Sequence, residues 1–113
     1  ADMTQVMQVF ANLIDNAIKY RSSERPGTIV ISGAIENNRA VYRIEDNGIG
    51  IAQKHQTKIF ELFYRLNPRQ SEGEGLGLTA ARQIIERLDG EITLESVEGQ
   101  GAVFFVRLPV GKE

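Results

Sequence analysis

The hydrophobic positions at the start of the chain recur at helical spacing. Between residues 3 and 20 the apolar side chains fall three or four positions apart, and Asp2 or Thr4 is available as an N-terminal cap. The stripe consists of Val6, Val9, Phe10, Leu13, Ile14 and Ala17. This pattern predicts an amphipathic first helix.

The pattern then changes from helical spacing to β-rich runs. After a loop at residues 21–27, residues 28–35 and 40–46 are rich in β-branched and apolar side chains, and the short link between them predicts a hairpin. Two further strands are predicted at residues 91–96 and 102–108, joined through a glycine-containing turn. The chain therefore alternates helical and strand segments without an internal repeat.

A second amphipathic helix is predicted over residues 76–88. It stops at Asp89 and Gly90, so that the helix is followed by its C-terminal glycine. Together these elements predict an α+β domain with helices on one face of a mainly antiparallel mixed sheet. Residues 47–75 show little periodicity and are rich in Gly, Gln, Arg and Glu. A long stretch of this kind is typical of a functional segment.

Composition limits the classes of protein that fit this pattern. The chain has 113 residues, 42% of them hydrophobic, which suits one domain over residues 1–113. Its 13 basic and 15 acidic residues give a net charge of -2, so we expect no nucleic-acid partner and no direct membrane contact. The absence of cysteine excludes disulfides and thiolate zinc sites and suits a reducing compartment.

The first helix carries polar residues beside its apolar stripe. Gln8, Asn12, Asn16 and Lys19 fall within an arc of about 80° on a helical wheel. Two amide oxygens and a nearby ammonium group suit a hydrated Mg²⁺ and the phosphates that it carries. The alternative interpretation is an ordinary solvated helix face.

An acidic turn follows the second predicted strand. Asp46, Asn47 and Gly48 form a common turn sequence, and a plain turn is the alternative interpretation. The functional interpretation uses the Asp46 carboxylate to accept a hydrogen bond from the exocyclic amine of adenine. Guanine presents an oxygen at that position, so the carboxylate would favour ATP over GTP by about 1–3 kcal/mol.

Two further signals lie between the turn and the second helix. Gly73, Gly75 and Gly77 place backbone N–H groups at a predicted helix start, where phosphate is favoured, although a flexible hinge has a similar sequence. The segment 59–65 contains aromatic residues that suit a local core, and Arg65 could reach a phosphate. His55 lies in a polar segment and is expected at a solvated surface.

Taken in order, four segments resemble the four boxes of sensor histidine kinase catalytic domains. These segments are residues 12–20 (NLIDNAIKY), 46–51 (DNGIGI), 60–65 (FELFYR) and 75–78 (GLGL), and residues 99–104 and 108–109 resemble the family's last strands. The resemblance spans nearly the whole chain. It implies a two-layer α/β sandwich of the Bergerat type, shared with gyrase, the ninety-kilodalton heat-shock protein and MutL.

The resemblance also implies a role for each matching residue. Asn16, helped by Asn12, would bind Mg²⁺, and Asp46 would accept the adenine amine. Residues 67–73 would form a lid over ATP. The remaining residues implied to contact the nucleotide are Lys19, Tyr20, Gly48, Gly50, Ile51, Phe63, Arg65, Gly73, Gly75, Leu76, Gly77 and Leu78.

Several positions depart from the family pattern. Glu74 stands where a small hydroxyl residue is usual, and its carboxylate would repel phosphate unless it points outward. Ala102 and Val103 stand where a serine or threonine is common. The chain begins almost at the first helix, without the strand that usually precedes it, so we expect a piece of a longer kinase.

The identity of Asn12 separates two kinds of ATP chemistry. Hydrolysing relatives have a glutamate at this position as the general base, and asparagine cannot accept that proton. The resemblance therefore implies a cytoplasmic domain that transfers the γ-phosphate of Mg-ATP to a histidine on an upstream dimerisation domain, with a response regulator downstream. Two alternatives are a degenerate nucleotide-binding scaffold and an ATP-driven clamp. Because the acceptor histidine would lie elsewhere, little activity is expected from the chain alone.

Overall fold

The computed structural model describes residues 3–56, 58–60 and 78–110. The elements are α1 (Met3–Lys19), β1 (Ile29–Glu36), β2 (Arg39–Asp46), α2 (Gln53–Gln56), α3 (Leu78–Arg87), β3 (Glu91–Val97) and β4 (Gly101–Pro109). This order matches the predicted alternation of helices and strands. The structure adds α2, a single helical turn within a segment that was expected to be a loop, because one turn is too short to show hydrophobic periodicity.

The four strands form one sheet in the order β1-β2-β4-β3. Each of the three neighbouring pairs is antiparallel, so the described part of the sheet contains no parallel pair. The register pairs Asp46 of β2 with Ala102 of β4, and Val97 of β3 with Gly101. We call the end of the sheet where these residues lie the site end. The opposite end, where β2 begins and β4 finishes, is the turn end.

The hydrophobic core lies between the sheet and the two longer helices. Val9 and Leu13 of α1 and Ile85 of α3 are almost fully buried against Ile44 and Val106 of the sheet. Burial of one such side chain contributes about 1.5–3 kcal/mol, so these contacts hold the helices on the sheet. The prediction of an α+β sandwich with helices on one face is confirmed.

The hairpin at the turn end is tighter than the sequence indicated. The strands continue to Glu36 and Arg39, which leaves only Asn37 and Asn38 in the turn. Both asparagines have positive φ angles, 51° and 67°. These values are typical of a type I′ turn, whose twist matches that of the flanking strands. Asparagine tolerates this conformation better than most residues, which explains the pair.

The C-terminal end of α3 also differs from the prediction in one detail. The residue with the left-handed conformation is Asp89 (φ 63°), and not Gly90. The amides of Asp89 and Gly90 donate to the carbonyls of Glu86 and Ile85 at 3.1 and 2.9 Å, which is a Schellman motif. Gly90 is required for space, because a Cβ atom there would lie 2.2 Å from the carbonyl oxygen of Arg107.

Candidate functional site

A pocket opens between α1 and the site end of the sheet. It is lined by Asn16, Ala17, Tyr20, Asp46, Gly50, Ile51, Ala102 and Phe104. Five of these residues were predicted to contact the nucleotide or its metal, and they come from α1 and the residue after it, the end of β2 and the loop that follows. The fold therefore brings the first two sequence boxes together at one place.

Asp46 is half-buried at the end of β2, on the pocket wall. Its Oδ1 accepts a hydrogen bond from the backbone N–H of Gly48 at 2.8 Å. Burial raises the pKa of Asp46, and the nearby Glu45 charge adds to this, while backbone hydrogen bonds from Gly48 and Ala102 act in the opposite direction. A partly desolvated carboxylate gains from a ligand N–H donor, because such a donor restores a lost interaction.

The α1 side of the pocket carries an amide. Asn16 is 6% exposed and is the only buried polar residue within the described part of the chain. Asn12 lies one helical turn earlier and is half-buried, but it is not among the residues that line the pocket. Amide oxygens on the wall of an accessible pocket are suitable ligands for a Mg²⁺ that keeps several waters.

Lys19 and Tyr20 occupy different environments at the end of α1. Tyr20 lines the pocket and packs against the hydrophobic core. Lys19 is exposed, and its Nζ lies 3.3 Å from a carboxylate oxygen of Asp15. An exposed pair of this kind contributes about 0–1 kcal/mol, so the lysine is free to take another anionic partner.

Two glycines allow the loop after β2 to run close to other backbone segments. A Cβ atom at Gly48 would lie 2.5 Å from the carbonyl oxygen of Tyr20. Gly50 has a φ of 71°, and a Cβ atom there would lie 2.3 Å from the carbonyl oxygen of Val97. Both glycines were predicted site residues, and the structure gives them a steric reason that is independent of any ligand.

Two polar residues that are not among the predicted nucleotide contacts, Asn47 and Arg25, hold this loop from outside the pocket. The Asn47 side chain accepts from the amide of Thr28 at 2.8 Å and donates to the carbonyl of Pro26 at 2.9 Å. Arg25 donates to the carbonyls of Asn47 and Gly48 at 2.7 and 2.8 Å. These contacts join the loop after α1 to the loop after β2.

Ser96 and Gln56 form hydrogen bonds with the backbone of Ile51, further along the same loop. The Ser96 hydroxyl accepts from the amide of Ile51 at 2.8 Å and donates to the carbonyl of Gly101 at 2.6 Å. The Gln56 side chain donates to the carbonyls of Ile51 and Ser96. Neither residue carried a sequence signal, because its partners lie far away or on the backbone.

The predicted phosphate-binding half of the site falls largely outside the described residues. Those positions are Phe63, Arg65, Gly73, Glu74, Gly75, Leu76, Gly77 and the lid at 67–73. Leu78 is described, and its side chain is 1% exposed in the hydrophobic core, so only its backbone is available to a ligand. Phe60 packs against Phe104, which agrees with the expected local aromatic core.

Residues 3–56, 58–60 and 78–110 show neither a cluster of metal ligands nor a helix that could cross a membrane. They contain no group of three or more His, Cys, Asp or Glu side chains placed to hold a metal ion. None of their helices has the length and apolar character needed to cross a membrane. His55, expected at a solvated surface, is partly buried in α2.

The sequence matches, over residues 1–112, the family described as "Histidine kinase-, DNA gyrase B-, and HSP90-like ATPase". The chain belongs to this family. Within this ATPase family, it is 42% identical over 112 residues to the phytochrome-like protein Cph1 of Synechocystis, covering 98% of the chain and 15% of Cph1. It is 41% identical to the sensor protein kinase WalK of Staphylococcus haemolyticus, covering 96% of the chain and 18% of WalK.

Solved structures of the family have the same fold. The nucleotide-free catalytic domain of histidine kinase ThkA superposes with a TM-score of 0.81 at 32% identity, covering 96% of this chain and 69% of that one. The mycobacterial sensor histidine kinase MprB, at 24% identity and a TM-score of 0.81, shows the likeness of fold alone. The chain is thus homologous to histidine kinase ATP-binding domains, and it spans under a fifth of the length of Cph1 and WalK.

Proposed function

We propose that this chain binds Mg-ATP in the pocket beside Asp46 and donates its γ-phosphate to a histidine on a separate dimerisation and phosphoacceptor domain of a two-component sensor kinase. The observation that carries the proposal is the half-buried Asp46 carboxylate on the pocket wall, in a chain that belongs to an ATP-binding family. An upstream acceptor domain, a downstream response regulator and a cytoplasmic location complete the proposed setting.

Asp46 would recognise the base. Its Oδ1 already accepts from Gly48, and a carboxylate has further lone pairs for a second donor such as the adenine amine. Gly50 and Ile51 would line the base, and Tyr20 and Phe63 would contact the nucleotide. The Ala102 side chain lines the same pocket and would present its methyl group to the base.

Asn16, with Asn12 beside it, would hold Mg²⁺, which would neutralise phosphate charge during transfer. The residues proposed to contact the phosphates are Lys19, Arg65, Gly73, Gly75, Leu76 and Gly77, with the backbone of Leu78. Lys19 would exchange its surface partner Asp15 for phosphate oxygens. This exchange costs little because the ion pair is exposed.

The amide of Asn12 supports transfer over hydrolysis. A water molecule that attacks the γ-phosphate needs a base, and an amide does not accept its proton. The site then works by positioning ATP for an acceptor that another domain supplies. The domain alone is expected to bind ATP and to release phosphate very slowly.

The first experiment measures the binding of a fluorescent ATP analogue, with Mg²⁺, to wild type, Asp46→Ala and the control Glu45→Ala. Glu45 is the adjacent carboxylate, but it is exposed, points to the other face of the sheet and pairs with Arg43. We expect Asp46→Ala to weaken binding about 10- to 100-fold, as for a lost hydrogen bond to a charged group, and Glu45→Ala to change it little. Equal binding by Asp46→Ala would refute the adenine assignment.

A second experiment tests transfer. The longer protein that contains this chain is incubated with ATP labelled at the γ-phosphate, and label on an acid-labile phosphohistidine is expected. The isolated chain should bind ATP without labelling itself and should release phosphate only very slowly. Binding without labelling of the longer protein would favour the nucleotide-binding scaffold, and rapid phosphate release would favour the ATP-driven clamp.

A further inference from the structure

Arg25 makes three charge-assisted hydrogen bonds to backbone carbonyls beside the pocket. Its Nε donates to the carbonyl of Asn47 at 2.7 Å, and one terminal nitrogen donates to the carbonyls of Gly48 and Gly99 at 2.8 Å each. Among residues 3–56, 58–60 and 78–110, the ion pairs within 4.0 Å do not include Arg25. Its guanidinium group is therefore directed at the backbone of the site end.

The Asn47–Gly48 peptide group connects Arg25 to Asp46. The carbonyl oxygen of this peptide accepts from Arg25 Nε, and its N–H donates to Asp46 Oδ1 at 2.8 Å. Because a peptide group is planar and rigid, a donor that fixes the oxygen also fixes the direction of the N–H. Arg25 is thus connected to the Asp46 carboxylate through one peptide plane, and a backbone hydrogen bond from Ala102 also holds this carboxylate.

The third bond ties the two loops of the site end together. Arg25 reaches Gly99 in the β3–β4 turn, and the Gly99 amide donates to the carbonyl of Ile49 at 2.7 Å. The loop after β2 is therefore held on both sides of Gly48. A single planar guanidinium makes all three bonds, which a lysine ammonium on a flexible stem does not reproduce with the same geometry.

We infer that Arg25 is a positioning residue for base recognition: by fixing the Asn47–Gly48 peptide, it holds the Asp46 carboxylate in the orientation that selects a purine with an exocyclic amine at position 6 over one with an oxygen there. This inference rests on the proposed function of Asp46. It gives Arg25, which does not line the pocket, an effect on specificity rather than on overall affinity.

The test compares Arg25→Gln and Arg25→Lys with the control Arg21→Gln. Arg21 lies in the same loop and has the same charge, but it is exposed and donates to the carbonyl of Ile18 at 2.8 Å. Affinities for ATP and GTP are measured for each protein. We expect Arg25→Gln to lower the ATP-to-GTP affinity ratio about tenfold, Arg25→Lys to lower it less, and Arg21→Gln to preserve it.

A readout without nucleotide separates this inference from the proposed function. In the nucleotide-free protein, the amide proton resonance of Gly48 should move upfield in Arg25→Gln, as its hydrogen bond to Asp46 weakens, and should stay in place in Arg21→Gln. An unmoved Gly48 resonance would overturn the inference, as would equal weakening of ATP and GTP. If Arg25→Gln does not fold, the ATP-to-GTP affinity ratio and the Gly48 resonance are both measured on Arg25→Lys, which keeps the charge. A wild-type protein without preference for ATP would instead contradict the proposed function.

Discussion

The two ends of the sheet are closed in different ways. At the turn end, the Asn37–Asn38 turn and the Schellman motif at Asp89 use hydrogen bonds between residues that lie close in sequence. At the site end, hydrogen bonds join Arg25 to Gly99, 74 positions away, and the Ile51 amide to Ser96, 45 positions away. The two turns of the turn end are therefore closed by local hydrogen bonds, with one long-range backbone bond beside them, from the Val110 amide to the Asn38 carbonyl at 3.3 Å. The site end, in contrast, forms only when several distant segments meet.

This difference determines how far a substitution acts. A change at the turn end removes a local interaction and leaves the rest of the sheet in place. A change at the site end alters a loop that several segments hold together, and the same loop forms the wall of the pocket. We therefore expect stability and nucleotide binding to change together at the site end, and stability alone to change at the turn end.

The largest expected effect is that of Gly101→Ala. Gly101 has a φ of 112°, and a Cβ atom there would lie 2.1 Å from the carbonyl oxygen of Asp46. We expect the free energy of unfolding to fall by about 2–4 kcal/mol, measured by urea unfolding, because the backbone must move. ATP binding should weaken in the same variant.

Gly99→Ala is the matched control for Gly101→Ala. Gly99 also has a positive φ, 86°, but nothing lies within 4 Å of the position of its Cβ atom. We expect a loss of only about 1–2 kcal/mol from the backbone conformation. Equal losses at the two glycines would show that conformation, rather than close packing at the site end, determines the cost.

The second effect is the pH dependence of ATP binding. Burial, the main cause, and the charge of Glu45 raise the pKa of Asp46, while backbone hydrogen bonds from Gly48 and Ala102 lower it. Since the carboxylate must be ionised to accept the adenine amine without competition, ATP affinity should fall as the pH decreases. The fall should begin at a higher pH than for an ordinary aspartate, and it should be reduced in Asp46→Asn. A profile identical in both proteins would contradict this role.

The same pKa shift has the opposite sign for stability. The folded state binds the proton of Asp46 more tightly than the unfolded state does, so the unfolding free energy contributed by this group decreases as the pH rises. The decrease begins near the unfolded pKa of about 3.8 and is complete above the raised folded value. The free energy of unfolding of Asp46→Asn, measured across this pH range, should lack this pH-dependent contribution. Substitutions at the turn end should leave the contribution in place.

The same contrast explains what could be predicted from the sequence. Helix and strand positions were predicted closely, because the spacing of apolar residues is visible in the local sequence and the same residues form the hydrophobic core. The fold also brings the box residues Asn16, Asp46, Gly50 and Ile51 into one pocket, while their contacts with a nucleotide stay a prediction. Arg25, Gln56 and Ser96 were missed because a side chain that bonds to distant carbonyls leaves no pattern in sequence.

Two predictions at the turn end were wrong in detail, because the backbone conformation and strand pairing there do not follow from residue type alone. Gly90 was expected as the glycine that ends the helix, but Asp89 has the left-handed conformation of the cap, and Gly90 instead provides the space to pass close to Arg107. The hairpin link was expected to be longer, since Glu36 and Arg39 are polar and resemble turn residues. Their pairing in the ladder shows that the strand ends next to the turn accept charged residues.

A smaller effect is expected from Asn38→Gly at the turn end. Asn38 has a φ of 67°, and glycine is preferred at the second position of a type I′ turn. We expect the free energy of unfolding to rise by about 0.5 kcal/mol, since the relief of the backbone exceeds the added entropy of the unfolded chain. ATP affinity, measured on the same samples, should be unchanged. A change in affinity would contradict the independence of the two ends.

The smallest effect is expected from the ion pair between Arg39 and Glu91, also at the turn end. Their nearest atoms lie 3.3 Å apart, and the side chains are 42% and 53% exposed. A double-mutant cycle with Arg39→Ala and Glu91→Ala should give a coupling energy of about 0.2–0.5 kcal/mol, falling at high salt, because water screens the pair. A coupling above about 1 kcal/mol would exceed the range for exposed pairs and show that the turn end also depends on contacts between distant segments.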